Sequence, residues 1–449
     1  MATIDLGKIK QVWRGTYSSS NTYAVDDLVA YTDSGITSTY IAIAASSNSN
    51  QQVPSTNGTA TANYWEFVAK GVADPVPTQS GQSGKFLTTN GSAASWATAI
   101  PSQSGNAGKA LLTDGTTASW GAAGAGKARN LIINGDYIIV QRGETTTGAG
   151  FAMDRWQMVQ NHADENCVGS RSDIGSGNIA FTAGFRHAFK ILNGNQTGLD
   201  GTDLVGFKTI LEAKDIRNSG WDYLSTSGKI TLSFYVKSSV AQAFSGNLRT
   251  SDGTTQVYKF DTPSLTANTW TKVTKTIPGS ANLQFDNNSG EGLTFHLYGF
   301  INTDYTDSNS NTETWVAATS GNYANDMTST WWATDNATLE ITGVQLEVGD
   351  SATGFNFVSE HEALLRCRRY YLKLPHNLYG AATNPGHGGN GFGQIINDYP
   401  VQMRATPTIT YGSIRTTDGL NINVYADRCH IYINHDSPYM NTWMGNAEL

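Results

Sequence analysis

The sequence predicts an all-β, elongated, multidomain protein. Three observations lead there: a composition made for strands and turns, a glycine-rich segment written twice, and alternating apolar and polar residues through the middle of the chain. At 449 residues the chain exceeds one ordinary core, so about three domains is the starting expectation. With 47 glycines, abundant Ser, Thr and Asn and only 15% charged residues, strands and turns are favoured over helices. A net charge of −8 and the lack of a Lys/Arg stripe exclude a nucleic-acid surface. No apolar run approaches the roughly 20 residues that cross a bilayer, and MATIDLGKIKQ lacks the apolar centre of a signal peptide. The expectation is a chain made in the cytoplasm without a membrane span. Cys167, Cys367 and Cys429 have no metal-type spacing, so they read as buried thiols.

The duplicated segment is PTQSGQSGKFLTTNGSAASW from Pro77 and PSQSGNAGKALLTDGTTASW from Pro101. In each copy Gly-Lys precedes a short apolar stretch, Asn90-Gly91 or Asp114-Gly115 supplies a tight turn, and a Trp closes the unit, which is the pattern of a small hairpin. A hairpin this size cannot bury its own apolar side chains. Trp96 and Trp120 therefore need a cover, and the same segment of other chains around a shared axis is the simplest one. Short glycine-rich repeats ending in Ser-Trp resemble the shaft segments of bacteriophage tail fibres. That resemblance implies a repeat shaft at 71–126 and an intertwined homotrimer.

Ahead of the repeat, Trp13, Tyr17, Tyr23, Asp26-Asp27, Val29, Tyr31, Tyr40, Ala42, Pro54, Trp65 and Val68 follow the order seen in small chitin-binding modules. The resemblance implies a small β domain over residues 1–70, with the aromatics as its core. Its sugar-binding members carry an exposed aromatic pair before the closing Trp, whereas SSNSNQQVPSTNGTATAN has none. The expected role is docking on the virion, through tail or adaptor proteins.

Residues 131–141 and the stretches GKITLSFYVKSS, TWTKVTKTIPG, GLTFHLYGF and TLEITGVQLEVG alternate as strands with one buried face, with no helical pattern between them. Such strands specify a jelly-roll β-sandwich, placed at 127–358. NLIINGDY, FAMDRW and ITGVQLEVGDSATGF resemble the jelly-roll carbohydrate-binding domains of phage tail fibres, in which first and last strands adjoin. Residues 130–140 are thus expected beside 339–348. SEHEALLRCRRYYLKLP reads as a connecting helix over 359–374, with Ser359 and Glu362 as a capping box and Leu364, Cys367 and Tyr371 on one face. A C-terminal β domain, 375–449, faces the receptor, its strands within PVQMRATPTITY and DRCHIYINHDSPYM.

Candidate glycan contacts are Trp331, Trp332, Trp315 and Tyr305, each of which either stacks on a sugar or fills the core. Trp331 and Trp332 point oppositely if they stand in a strand. The Gly-rich NPGHGGNGFG offers His387, Asn390 and Phe392 as a receptor-contact loop. His430 and His435 fall on opposite faces of a strand, a poor metal pair. No cofactor is indicated; Asp286 to Glu291 and Asp304, Asp307, Asn309, Asn311 and Glu313 offer hard oxygens that structural calcium accepts, but neither set matches the EF-hand pattern, so they read first as solvated loops. There is no G-x-S-x-G, H-E-x-x-H or P-loop. The expected function is that of a virion tail fibre adsorbing to a host surface glycan or receptor by multivalent binding, not an enzyme. The competing expectation is an envelope-polysaccharide depolymerase, whose paired carboxylates need only meet in space.

Overall fold

The computed structural model describes residues 11–45, 53–72, 76–98, 100–105, 109–113, 117–122, 130–308, 310–374, 378–379, 381–384, 392–412, 421–433, 439–440 and 443–449. Its sheets make an all-β, multidomain protein. The chain divides into two compact units, Met1–Gly105 and Asn106–Leu449.

In the first unit, Val12–Thr16 runs parallel to Asp27–Asp33, which pairs with Ile36–Ala42 and through it with Trp65–Ala69. Ser34 and Gly35, at φ 52° and 79°, make the two-residue turn whose twist matches the flanking strands. Tyr23, Val29, Tyr40, Ala42 and Trp65 are buried, and Tyr17 packs on Tyr23, Tyr31 and Trp65. Trp13 departs from the expected aromatic core: it is 57% exposed, because its strand is the sheet edge.

Both repeat copies are hairpins of one register. Phe86–Thr89 pairs with Ala94–Ala97, setting Leu87 opposite Trp96; Lys109–Thr113 pairs with Ala118–Ala122, setting Leu111 opposite Trp120. In the first copy Asn90 Oδ1 accepts from the backbone N–H of Ser92 and Ala93 at 3.0 and 2.9 Å, while Gly91 takes φ 89°. Phe86, Leu87 and Leu111 are exposed.

The second unit holds a two-sheet sandwich. One sheet runs Thr145–Thr147, Val168–Asp173, His187–Leu192, Thr338–Val348, Lys229–Ser238, Thr271–Pro278. The other runs Gly150–Met153, Trp156–Asn161, Leu204–Glu212, Glu291–Ile301, Ser245–Thr250, Gln256–Asp261, Trp315–Ala317. Inward residues meet between them, as where Phe189 packs on Phe207 and Phe234 on Phe295, each ring contributing about 1.5–3 kcal/mol by burial.

Residues 130–140 lie against 339–348 as expected, but not as a strand. Asn130 Oδ1 accepts from Leu346 N at 3.0 Å and its amide donates to Val344 O at 3.0 Å. Asn134 ties Ile139 and Asp154 in the same manner. Asn134 and Tyr137 have φ 58° and 60°, so the backbone leaves the extended region, and at Gly135 a Cβ would stand 2.1 Å from Val344 O, so this close approach requires glycine. Two short helices also break the expected run of strands, Ile179–Thr182 and Ala213–Arg217.

The connecting helix is Glu360–Arg368, shorter than its sequence pattern suggests. Ser359 Oγ accepts from Glu362 N at 3.2 Å, while the Glu362 carboxylate turns to Arg366 at 2.6 Å. Ala363 and Cys367 pack on Ile139, with Leu364 at the edge. Tyr371 leaves that face for a strand, Tyr371–Leu374, which pairs with Trp443–Asn446 and through it with Thr408–Tyr411. A further sheet contains Ala381–Asn384, Phe392–Asp398, Arg428–Ile433 and Asn421–Val424. All three cysteines are buried and free.

Candidate functional site

Strand alternation decides what the outer face of the seven-stranded sheet presents. On Leu204–Glu212 the inward residues are Val205, Phe207 and Leu211, so Lys208 and Ile210 point out. Lys208 is paired with His296 and Ile210 with Thr294 on Glu291–Ile301. His296 is in turn paired with Asn247, and Thr294 with Arg249. Three adjacent strands therefore deliver a lysine, an arginine, a histidine, an amide and a hydroxyl to one patch.

The patch is held by its own hydrogen bonds. His296 Nδ1 lies 3.1 Å from Asn247 Oδ1, and because that oxygen only accepts, Nδ1 carries the proton and Nε2 is left as an acceptor. The Asn247 amide donates to Tyr298 Oη at 3.2 Å and to Tyr323 O at 2.7 Å. The His296 and Tyr298 rings stack at 5.5 Å and 7°. Burial first, then the charges of Arg249 and Lys208, hold the imidazole pKa well below its ordinary value, so it is neutral at pH 7. Lys208 is half-buried, and burial lowers its pKa as well.

Aromatic residues wall one side. Tyr305 and Tyr323 come from two short 3-10 turns, Thr303–Tyr305 and Ser320–Asn322 with its C-cap. Their rings stack at 6.1 Å and 12°, and the Arg249 guanidinium lies 5.0 Å from the Tyr323 ring centre. Tyr305 Oη is 3.5 Å from the Asn161 amide. On the other side Lys208 and Ile210 lie close to Gln157, Glu448 and Leu449, around a gap with no room for water. The result is a shallow trough edged by half-buried Lys208, Arg249, Tyr305 and Tyr323, beneath which Asn247 and Thr294 are fully buried and His296 is 5% exposed.

Of the sequence candidates among the described residues, Tyr305 reaches this trough. Trp331, Trp332 and Trp315 are 0%, 1% and 7% exposed, so the structure places them in the core. Trp332 stacks on Phe300 and donates from Nε1 to Gly198 O at 3.1 Å; Trp315 donates to Pro278 O at 2.7 Å. Trp331 lies against Gly299. His387, Asn390 and His435 lie outside the described residues, and Phe392 opens the Phe392–Asp398 strand. The acidic loops use their carboxylates on lysines and amides: Asp307 pairs with Lys259, Glu313 with Lys275, and Asp286 accepts from Gln284. Among the described residues no group of three or more His, Cys, Asp or Glu side chains could hold a metal ion.

Sequence reasoning missed Lys208, Arg249, His296 and Tyr323. Each cation or imidazole interrupts an apolar strand (GFKTIL, GNLRT, TFHLY) at an outward phase, which was the available signal. In the first unit a second depression is lined by Trp13, Arg14, Ser20, Asn21 and Thr22, with Arg14 3.3 Å from Asp27. It supplies an exposed aromatic that the module's loop lacks.

No protein-family model matches this sequence, and no curated protein is similar to it. Solved structures that match part of this chain include the enzymatically active domain of tailspike protein 4 from bacteriophage CBA120, at 9% identity and TM-score 0.26, matching 49% of this chain and 21% of that one. The N-terminal cellulose-binding domain of β-1,4-glucanase C from Cellulomonas fimi matches 46% of this chain and 95% of its own length, at 14% identity and TM-score 0.23. A family 11 carbohydrate-binding module of a Clostridium thermocellum cellulase matches 45% and 96%, at 14% identity and TM-score 0.21. Likenesses this distant carry no inference about what the chain binds, which rests on the trough's own chemistry.

Proposed function

We propose that this chain is a bacteriophage tail fibre that attaches the particle to its host by binding surface glycan in the sandwich trough. The observation that carries this reading is the pair of stacked tyrosines beside the imidazole acceptor of His296 and the half-buried cations Lys208 and Arg249 on one sheet face. Aromatic faces take the apolar face of a pyranose, and the polar groups take its hydroxyls. The hairpin repeats, with Phe86, Leu87 and Leu111 exposed, support assembly as a homotrimer through the shaft. The amino-terminal module docks on the virion tail. Three troughs per fibre raise effective concentration, so avidity exceeds single-site affinity by about 10²–10⁴.

Binding is favoured over hydrolysis by the state of the carboxylates on this sheet. Glu291 accepts from Thr294. At Glu212 burial alone would raise the pKa, but hydrogen bonds from Arg369 and Tyr370 and the charges of Arg369 and Lys214 override it and bring it to about 2, unsuited to a general acid. The test incubates purified, labelled protein with candidate host cells and follows cell binding, competition against phage adsorption, and reducing sugar released from envelope. Cell binding and blocked adsorption without sugar release are expected. Protein that neither binds nor blocks overturns the reading, and sugar release replaces it with the depolymerase.

A further inference from the structure

Lys208 and Arg249 are half-buried cations that share one sheet face, and they differ from the cations that the second unit neutralises with a carboxylate. Lys259 is paired with Asp307, Lys237 with Glu340, Arg142 and Arg155 with Glu448, and Arg369 with Glu212. Among the described residues, Lys208 and Arg249 form no ion pair. Glu291, the carboxylate whose charge reaches Lys208, accepts from the Thr294 hydroxyl. The two cations stand on strands either side of Glu291–Ile301, each within range of the other's charge. Like charges held together in a half-buried place repel, and although Glu291 offsets this at Lys208, an anionic ligand would satisfy both cations directly. The two cations stand in a chain of net charge −8, where a surplus of local positive charge is not a property of the whole surface.

We infer that the trough takes an acidic saccharide, with the sugar carboxylate seated between Arg249 and Lys208 and the ring against Tyr323. This rests on the trough being the glycan site proposed above. Arg249 contributes a planar fork of N–H donors that matches a carboxylate, and its position over Tyr323 orients the fork. Lys208 adds a point charge from the neighbouring strand. His296 is not a third cation: neutral, with its Nδ1 proton given to Asn247, it offers Nε2 to a sugar hydroxyl. The two cations thus sort ligands by charge, while the tyrosine wall accepts pyranose rings of either kind.

The experiment immobilises the full chain and measures binding of oligogalacturonate, its fully methyl-esterified form, alginate oligosaccharide, and neutral cello- and chito-oligosaccharides. The acidic probes are expected to bind, to weaken with added salt, and to bind more tightly than the methyl ester by about tenfold or more. Arg249→Gln and Lys208→Gln should abolish that preference, Arg249→Lys should keep part of it, and thermal unfolding of each variant shows that the sandwich stays folded. Neutral probes binding as tightly as acidic ones, or a preference that survives Arg249→Gln, overturn the inference while the glycan reading stands. No binding by any saccharide overturns both.

Discussion

Glu212 has a fully buried carboxylate that receives Arg369 Nε at 2.6 Å, Arg369 Nη2 at 2.8 Å and Tyr370 Oη at 2.6 Å. It joins the sandwich to the two residues just past the helix. Removing one partner of such a pair leaves a buried charge uncompensated, so Glu212→Gln should cost about 3–5 kcal/mol at neutral pH, read from denaturant unfolding. The sign with pH comes from a folded pKa of about 2 against an ordinary 4.5. The contribution is fully present above pH 4.5 and lost as pH falls toward 2, so wild type and Glu212→Gln should converge in stability over that window. At this scale the sequence was least legible. Strand alternation is the wrong guide to Trp331 and Trp332, because they lie in a turn, where neighbouring side chains need not oppose and both are buried.

At the scale of elements, the long strands were legible because each carries its own alternation: Lys229–Ser238, Thr271–Pro278, Glu291–Ile301 and Thr338–Val348 fall where the pattern put them. The trough was not, because it depends on register between strands far apart in sequence. Lys208, His296 and Asn247 become neighbours only through pairing. Residues 131–141 misled for a related reason: their apolar alternation is real, but Asn130 and Asn134 supply side-chain partners where a strand would use a ladder. The Glu360–Arg368 helix is nine residues long, marginal alone, and packs on Ile139 of its own chain. Cys367→Asp would put a carboxylate into that contact. Its expected outcome is protease cleavage within residues 369–449 while the sandwich fragment survives; a chain as protease-resistant as wild type would show that the helix does not anchor the C-terminal strands.

At the scale of the molecule, the exposed Phe86, Leu87 and Leu111 of the two equivalent hairpins argue for a shaft completed by other chains. Deleting residues 71–126 should lower the assembly's mass from that of the proposed trimer toward monomer in sedimentation, and an unchanged mass would place the contacts elsewhere. The central claim is that attachment belongs to the sandwich trough rather than to the exposed Trp13 of the first unit. The most direct measurement is host-cell binding by flow cytometry of the wild type, Arg249→Ala/Tyr323→Ala and Trp13→Ala, each as the full chain. The trough variant is expected to lose binding by about tenfold or more, as removal of a charged hydrogen bond and a stacking ring implies, with Trp13→Ala close to wild type. Binding that survives in the trough variant and disappears in Trp13→Ala would contradict it.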